Sequence, residues 1–157
     1  MKFKTFVFSF FIGLLMLIIL PFLFIKANEY FNLPVYVNYS LMAFGAILIL
    51  SGIFIFFYCY NLFSHHGKGT PVETEPTLRF VSSGIYNFMR NPIYIGYFLI
   101  ILGEFFILGY LLLILYVLMY MIFIHFFVVY HEEPILRKKF GSEYIRYTKK
   151  VPRWIFF

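Results

Sequence analysis

Long apolar runs separated by short polar ones set the rhythm of this chain. From Thr5 to Ile25 no residue is charged; at ~1.5 Å rise per residue, a helix over those roughly 21 positions crosses a ~30 Å hydrocarbon core. Pro21 lies in its final turns and predicts a kink there. A polar connection from Lys26 to Asn38 carries Asn28, Glu29, Asn32 and Pro34, and a second apolar run extends from Tyr39 to Leu62. Together these predict an N-terminal helical hairpin over 1–63, in which Gly45, Ser51 and Gly52 are the small residues that let helices approach closely.

Hydrophobicity then collapses into a hydrophilic loop over 64–92, with His65, His66, Glu73, Glu75, Arg79 and the run Ser82-Ser83-Gly84. Its glycines follow no buried strand, so they form no nucleotide fingerprint. From Ile93 to Tyr130 the chain is again apolar for roughly 38 residues, twice one crossing. Two helices over 93–130 with a tight turn near Gly109 are predicted, and Glu104 is the acid inside them. The tail over 131–157 has helical spacing. Leu136, Phe140, Tyr144, Tyr147 and Val151 fall within an arc of ~80°, with Lys138, Lys139, Arg146, Lys149 and Lys150 mostly opposite. Gly141 is placed to divide that helix and Pro152 to end it. The expected architecture is an all-α integral membrane protein: a single membrane domain with about four transmembrane helices in two hairpins, and a C-terminal amphipathic interfacial helix.

Composition agrees. With 62% hydrophobic and only 13% charged residues among 157, the chain is too apolar for a soluble domain. The first apolar run is too long for a signal peptide and no small-residue cleavage pattern follows it. Thirteen Lys and Arg against seven Asp and Glu leave a net charge of +6, which in such a chain marks cytoplasmic faces and anionic headgroups, not nucleic acid. The basic residues cluster at Lys2 and Lys4, at Lys68, Arg79 and Arg90, and after His131, against Lys26 alone in the first connection. That distribution predicts a multi-pass protein with both termini cytoplasmic, the central loop and the tail sharing one membrane face. Cys59, the one cysteine, offers neither a disulfide nor a thiolate metal site.

Candidate chemistry gathers at the ends of the apolar runs. Arg90 and Asn91 are the last strongly polar residues before Pro92, which suits the first turn of a helix. The adjacent carboxylates Glu132 and Glu133 suit ribose hydroxyls, an ammonium group or partner arginines. His125, seven positions before Glu132, falls near the same helix face ~10 Å deeper; ligand contact and hydrogen-bonded packing are both open to it. His65 and His66 read as a solvated pair, since no nearby Cys or Asp completes a metal site. Glu104 lies ~18 Å along its helix from Pro92, and a protonated or helix-paired role suits it better than catalysis.

The ordered set Gly84-x-Tyr86, Arg90-Asn91-Pro92-x-Tyr94-x-Gly96, Glu132-Glu133-x-x-Leu136 and Phe140-Gly141-x-x-Tyr144-x-x-Tyr147-x-x-x-Val151-Pro152-Arg153 resembles the isoprenylcysteine carboxyl methyltransferase family over about 67–154. Phospholipid N-methyltransferases belong to the same wider group. The resemblance implies a membrane methyltransferase that uses S-adenosylmethionine, bound between the cytoplasmic loop, the last two helices and the tail. It assigns Tyr86, Asn91, Tyr94, Glu132 and Glu133, with His125 and Tyr144, to the cofactor pocket. Arg90 and Arg153 become the catalytic candidates, each able to hold a carboxylate or phosphate in a bidentate fork. The methyl acceptor would be lipid-like or a small amphipathic molecule; a carboxylate, an amine and a thiol all stay open, because its pocket would be made of apolar helix faces. Two other classes compete, a sterol-type membrane reductase using NADPH and a non-catalytic membrane scaffold. The short chain weighs against the first.

Overall fold

The computed structural model describes residues 3–67 and 77–155, so Lys2 and Lys68, which enter the charge argument, and Glu73 and Glu75 of the loop lie outside the described residues. Apart from an isolated antiparallel bridge between Val35 and Tyr110, the regular structure described is helical. The first run comprises α1 (Phe3–Leu14) and α2 (Leu20–Tyr30), joined by a π turn at Leu15–Ile19. Pro21 explains the turn, because it brings no N–H to the preceding carbonyls. In the wider register the Leu20 N–H bonds the Leu15 carbonyl, which leaves Met16 opposite Pro21, and the Tyr116 hydroxyl donates to the Met16 carbonyl at 2.6 Å. The helix continues beyond Lys26, so residues expected in a connection form its last turn, where Lys26 and Glu29 pair at 2.7 Å. The connection itself is shorter.

Asn38 starts α3 (Tyr39–Leu62) by accepting from the N–H groups of Ser40 and Leu41 at 2.8 and 3.3 Å. α3 and α4 (Pro92–Leu108) share the most extensive interface of the fold. Two glycine pairs set its spacing. A Cβ at Gly52 would lie 2.5 Å from the Gly96 carbonyl oxygen, and one at Gly45 2.7 Å from that of Gly103, so both pairs require glycine for the helix backbones to meet. Ser51 is not part of this interface; it is exposed and its hydroxyl donates to the Ile47 carbonyl at 2.8 Å.

α4 ends at Gly109, whose φ of 69° gives a left-handed cap with the Tyr36 carbonyl where a Cβ would be. α5 (Leu112–Phe127) returns along α4. The reversal near Gly109 is thus where the sequence places it. The N-terminal helix rests on α5, so its extensive interface is with the last helix of the bundle, not with its chain neighbour α3. Ile101, Tyr116, Val117, Tyr120, Ile124 and Val128 form the core there, packed on by Leu17, Leu20 and Phe24. A π turn at Val128–Glu132 leads into α6 (Glu133–Thr148), which is broken at Gly141 (φ 53°, ψ −127°) and ends before Pro152. Along it Leu136, Phe140, Tyr144, Tyr147 and Val151 are buried or half-buried, while Lys138, Lys139, Arg146, Lys149 and Lys150 are exposed.

Three helical stretches, Phe10–Tyr30, Tyr39–Gly67 and Leu112–Thr148, are long and apolar enough to cross a membrane, and Pro92–Leu108 is a shorter apolar helix of 17 residues. Phe54, Leu118 and Ile122 are among many large apolar side chains exposed on the outer faces. In water that surface would be a severe cost; in hydrocarbon it is the expected boundary. The chain is a membrane protein.

Candidate functional site

The site forms where α4 begins. A 3-10 turn at Gly84–Asn87 and a short loop deliver Arg90 and Asn91 to the helix, and Pro92 occupies its first turn. The tail returns to the same place after α6. The Arg90 N–H donates to the Pro152 carbonyl at 2.9 Å, and Asn91 Nδ2 donates to the Arg153 carbonyl at 3.1 Å. These two contacts to the backbone of the tail join segments far apart in sequence.

Glu133 is the centre of this junction. It is only 7% exposed, and three charge-assisted bonds converge on it: Arg90 Nη1 donates to Oε1 at 2.9 Å, Arg153 Nε to Oε1 at 2.6 Å and Arg153 Nη2 to Oε2 at 3.1 Å. The hydrogen bond to Glu133 holds the Arg153 guanidinium above its ordinary pKa, so its charge is secure. Glu132 takes a different partner, accepting from the Tyr94 hydroxyl at 2.6 Å. Adjacent helical residues diverge by ~100°, which lets one carboxylate face α4 while its neighbour faces the arginines. The Tyr120 hydroxyl donates to the Tyr94 carbonyl at 3.1 Å and fixes that part of α4 against α5.

Aromatic residues close the other side. Tyr144 is 2% exposed, and its ring and that of Tyr147 both meet Phe80 edge-on, with centroids 5.7 and 5.0 Å away. The Tyr147 hydroxyl donates to the Tyr86 carbonyl at 2.6 Å, and Lys139 Nζ donates to the Thr77 carbonyl at 2.7 Å. Both bonds tie α6 to the loop before α4. Tyr86 is buried with its ring edge-on to Phe63. Burial pushes its phenol well above the ordinary value, so the hydroxyl keeps its proton beside Cys59.

Of the nine residues singled out from the sequence, the structure brings Arg90, Asn91, Tyr94, Glu132, Glu133 and Arg153 together, with Tyr86 and Tyr144 behind them. His125 is placed apart. It is exposed, and its Nδ1 accepts from Trp154 Nε1–H at 3.2 Å. The sequence puts His125 on the Glu132 face by assuming an unbroken α-helix, but the π turn between them adds a residue to the turn and rotates the face by ~100°. Tyr120, Lys139, Tyr147 and Trp154 all act in the site's framework without being singled out for it. The Tyr144–Tyr147 helical spacing carried a signal for one of them; the lysine and Trp154 had none.

Two observations show that the junction is not saturated. Arg90 Nε is buried without a hydrogen-bond partner in the described structure, and a groove of about 400 Å³ opens beside Glu133, lined also by Val129, Pro134, Arg137 and Lys138. Among the described residues no group of three or more His, Cys, Asp or Glu is placed to hold a metal ion, and His65 and His66 are exposed. Glu104 lies within α4 away from the junction, and its buried Oε2 has no hydrogen-bond partner.

A family model described as phospholipid methyltransferase matches residues 40–143, from the start of α3 to just past the break in α6. The matched span includes Tyr86, Arg90, Asn91, Tyr94, Glu132 and Glu133, and stops short of Tyr144 and Arg153. No curated protein and no solved structure matches the chain.

Proposed function

Because the chain belongs to the phospholipid methyltransferase family, we propose that this membrane methyltransferase takes its methyl group from S-adenosylmethionine and passes it to a lipid-like or small amphipathic acceptor at the cytoplasmic face. The observation that carries this reading is the meeting of Arg90, Asn91 and Tyr94 with Glu132, Glu133 and Arg153 beside an open groove. The donor set is suited to that cofactor. Glu132 and Glu133 accept from ribose hydroxyls or an ammonium group, and the partnerless Arg90 Nε provides a donor for a carboxylate.

When bound, the cofactor supplies an electrophilic methyl group on a sulfonium. The chain's own part is alignment and exclusion of water, the two requirements of an in-line displacement. Arg90 and Arg153, both engaged on Glu133, act first as positioning residues: they lock the tail across the start of α4. Asn91 holds the strap that carries Arg153, Tyr94 fixes the Glu132 carboxylate, and Tyr86 and Tyr144 pack buried behind the junction. His125 joins through Trp154, by anchoring the same strap against α5. The acceptor's apolar part enters between helices whose outer faces are already apolar.

Four crossings with both termini cytoplasmic accompany this reading. Arg79, Arg90, Arg153 and the α6 cations lie at the junction end, whereas Lys26 lies at the other end, where its partner Glu29 accepts from Tyr110 at 3.4 Å. The basic tail then lies on the membrane surface as an amphipathic anchor. In intact cells, a cysteine introduced at Asn32 is expected to react with a membrane-impermeant thiol reagent; reaction only after permeabilisation overturns the orientation.

Equilibrium titration of the purified protein with S-adenosylmethionine tests the reaction class. Saturable binding is expected, with at least a tenfold loss in Glu132→Ala and in Tyr94→Ala. Absence of binding, or thermal protection by NADPH in preference to S-adenosylmethionine, overturns the proposal.

A further inference from the structure

A second groove, of about 470 Å³, opens between the loop before α4 and the far part of the tail. It shares no lining residue with the groove at Glu133. Phe80 and Ser82 form its loop wall, and Glu143, Arg146, Tyr147 and Lys150 its tail wall. The Tyr147 hydroxyl is already spent on the Tyr86 carbonyl, so the ring is what this residue presents, packed at 5.0 Å on Phe80.

The charges are arranged in an order. Arg146 and Lys150 stand one turn apart, and Glu143 stands one turn before Arg146. All three are exposed, and none makes an ion pair among the described residues. A guanidinium and an ammonium side by side hold a phosphate through charge-assisted bonds. A carboxylate next to aromatic faces holds an organic ammonium, by charge and by cation–π attraction. A groove for an anion alone would not carry Glu143 on its rim, and one for a cation alone would not carry Arg146 and Lys150.

We propose that this groove is a binding site for a zwitterionic phospholipid headgroup, phosphate on Arg146 and Lys150, ammonium between Glu143 and the Phe80 and Tyr147 rings, separate from the methyl-transfer site. The lipid held there is not the methyl acceptor. Because its two walls belong to the loop and to the tail, it fastens the Phe80–Ser82 segment to α6 beside the Tyr147–Tyr86 bond. The inference rests on the chain lying in a membrane, not on the identity of the methyl donor.

A phosphocholine lipid is the suitable probe, since its quaternary nitrogen has no proton to lose and cannot be methylated again. The full chain in an uncharged glycoside detergent is incubated with short-chain phosphatidylcholine or phosphatidylglycerol, and retained lipid is counted by native mass spectrometry. The unaltered protein is expected to retain one more phosphatidylcholine per chain than Arg146→Gln/Lys150→Gln, whose affinity for that equivalent falls at least tenfold. Glu143→Gln is expected to keep the lipid but to lose the preference for phosphatidylcholine over phosphatidylglycerol. S-adenosylmethionine titration of both variants is expected to match that of the unaltered protein. Equal retention by the double variant overturns the site. Displacement of the lipid by equimolar inorganic phosphate overturns a lipid as its occupant, and loss of S-adenosylmethionine binding in these exposed variants overturns its separation from the reaction centre.

Discussion

Where α4 turns into α5 the buried groups that close the bundle are neutral, with the Lys26–Glu29 ion pair exposed outside them, and where α4 begins it is closed by buried charge. At the turn Asn28 is fully buried, with Oδ1 accepting from the Leu112 N–H and Nδ2 donating to the Leu33 carbonyl, both at 2.9 Å. Beside it the Tyr36 N–H donates to the Gly109 carbonyl at 2.8 Å. One side chain thus serves two backbone groups that would otherwise go unpaired at a helix end. At the other end Glu133 holds two guanidinium groups, Arg90 Nε stays without a partner, and a groove opens alongside. Saturated neutral bonds hold a turn in place; convergent charge with a donor to spare is what the proposed cofactor site would draw on.

The comparison breaks most severely at Glu133. Glu133→Ala leaves two guanidinium groups facing each other with no counter-charge, and the expected loss of stability is ~3–5 kcal/mol, the usual consequence of removing one partner from a buried ion pair. It is read as a lowered midpoint of thermal or denaturant unfolding in detergent, together with loss of S-adenosylmethionine binding. An unchanged midpoint would show that the junction forms without its charges. Asn28→Ala tests the other end. Orphaning the Leu112 N–H and the Leu33 carbonyl is expected to lower stability by ~1–3 kcal/mol and to leave cofactor affinity unaltered; a matching drop in affinity would mean that the two ends are coupled. Tyr94→Phe has the smallest expected effect on folding, ~0.5–1.5 kcal/mol for one hydrogen bond. A larger drop in cofactor affinity than in stability is expected, since Glu132 loses the group that orients it. Equal losses would assign Tyr94 to the framework alone.

Helix positions were legible wherever one local cause sufficed. The apolar run and the Asn38 cap give α3 its bounds, Gly109 provides the left-handed residue that the turn needs, and Gly141 breaks α6. Sequence pattern and structure part where regular geometry gives way. Polar Lys26, Asn28 and Glu29 looked like a connection, yet they complete a helical turn because their charges pair with each other and Asn28 is taken up by α5. Ser51 is small like Gly52 but lies on the exposed side of α3. A period of 3.6 sets His125 on the Glu132 face, and the π turn at Val128–Glu132 interrupts that period. The two arginines were legible as a pair of cations near the junction; that both would be spent on one carboxylate was not.

What the sequence determined by itself is the solvent and the inventory. Burial in hydrocarbon follows from composition and run length alone, since transfer free energy adds up along the chain whatever its neighbours do, and the same runs confine the polar residues to their ends. Only the tertiary structure decided the pairing. Glu132 and Glu133 are equivalent as adjacent letters, but one faces Tyr94 and the other faces Arg90 and Arg153, across 38, 43 and 20 residues of chain respectively. Contacts over such distances depend on how α4, α5 and the tail strap pack together, and packing is set by all of the helix faces at once.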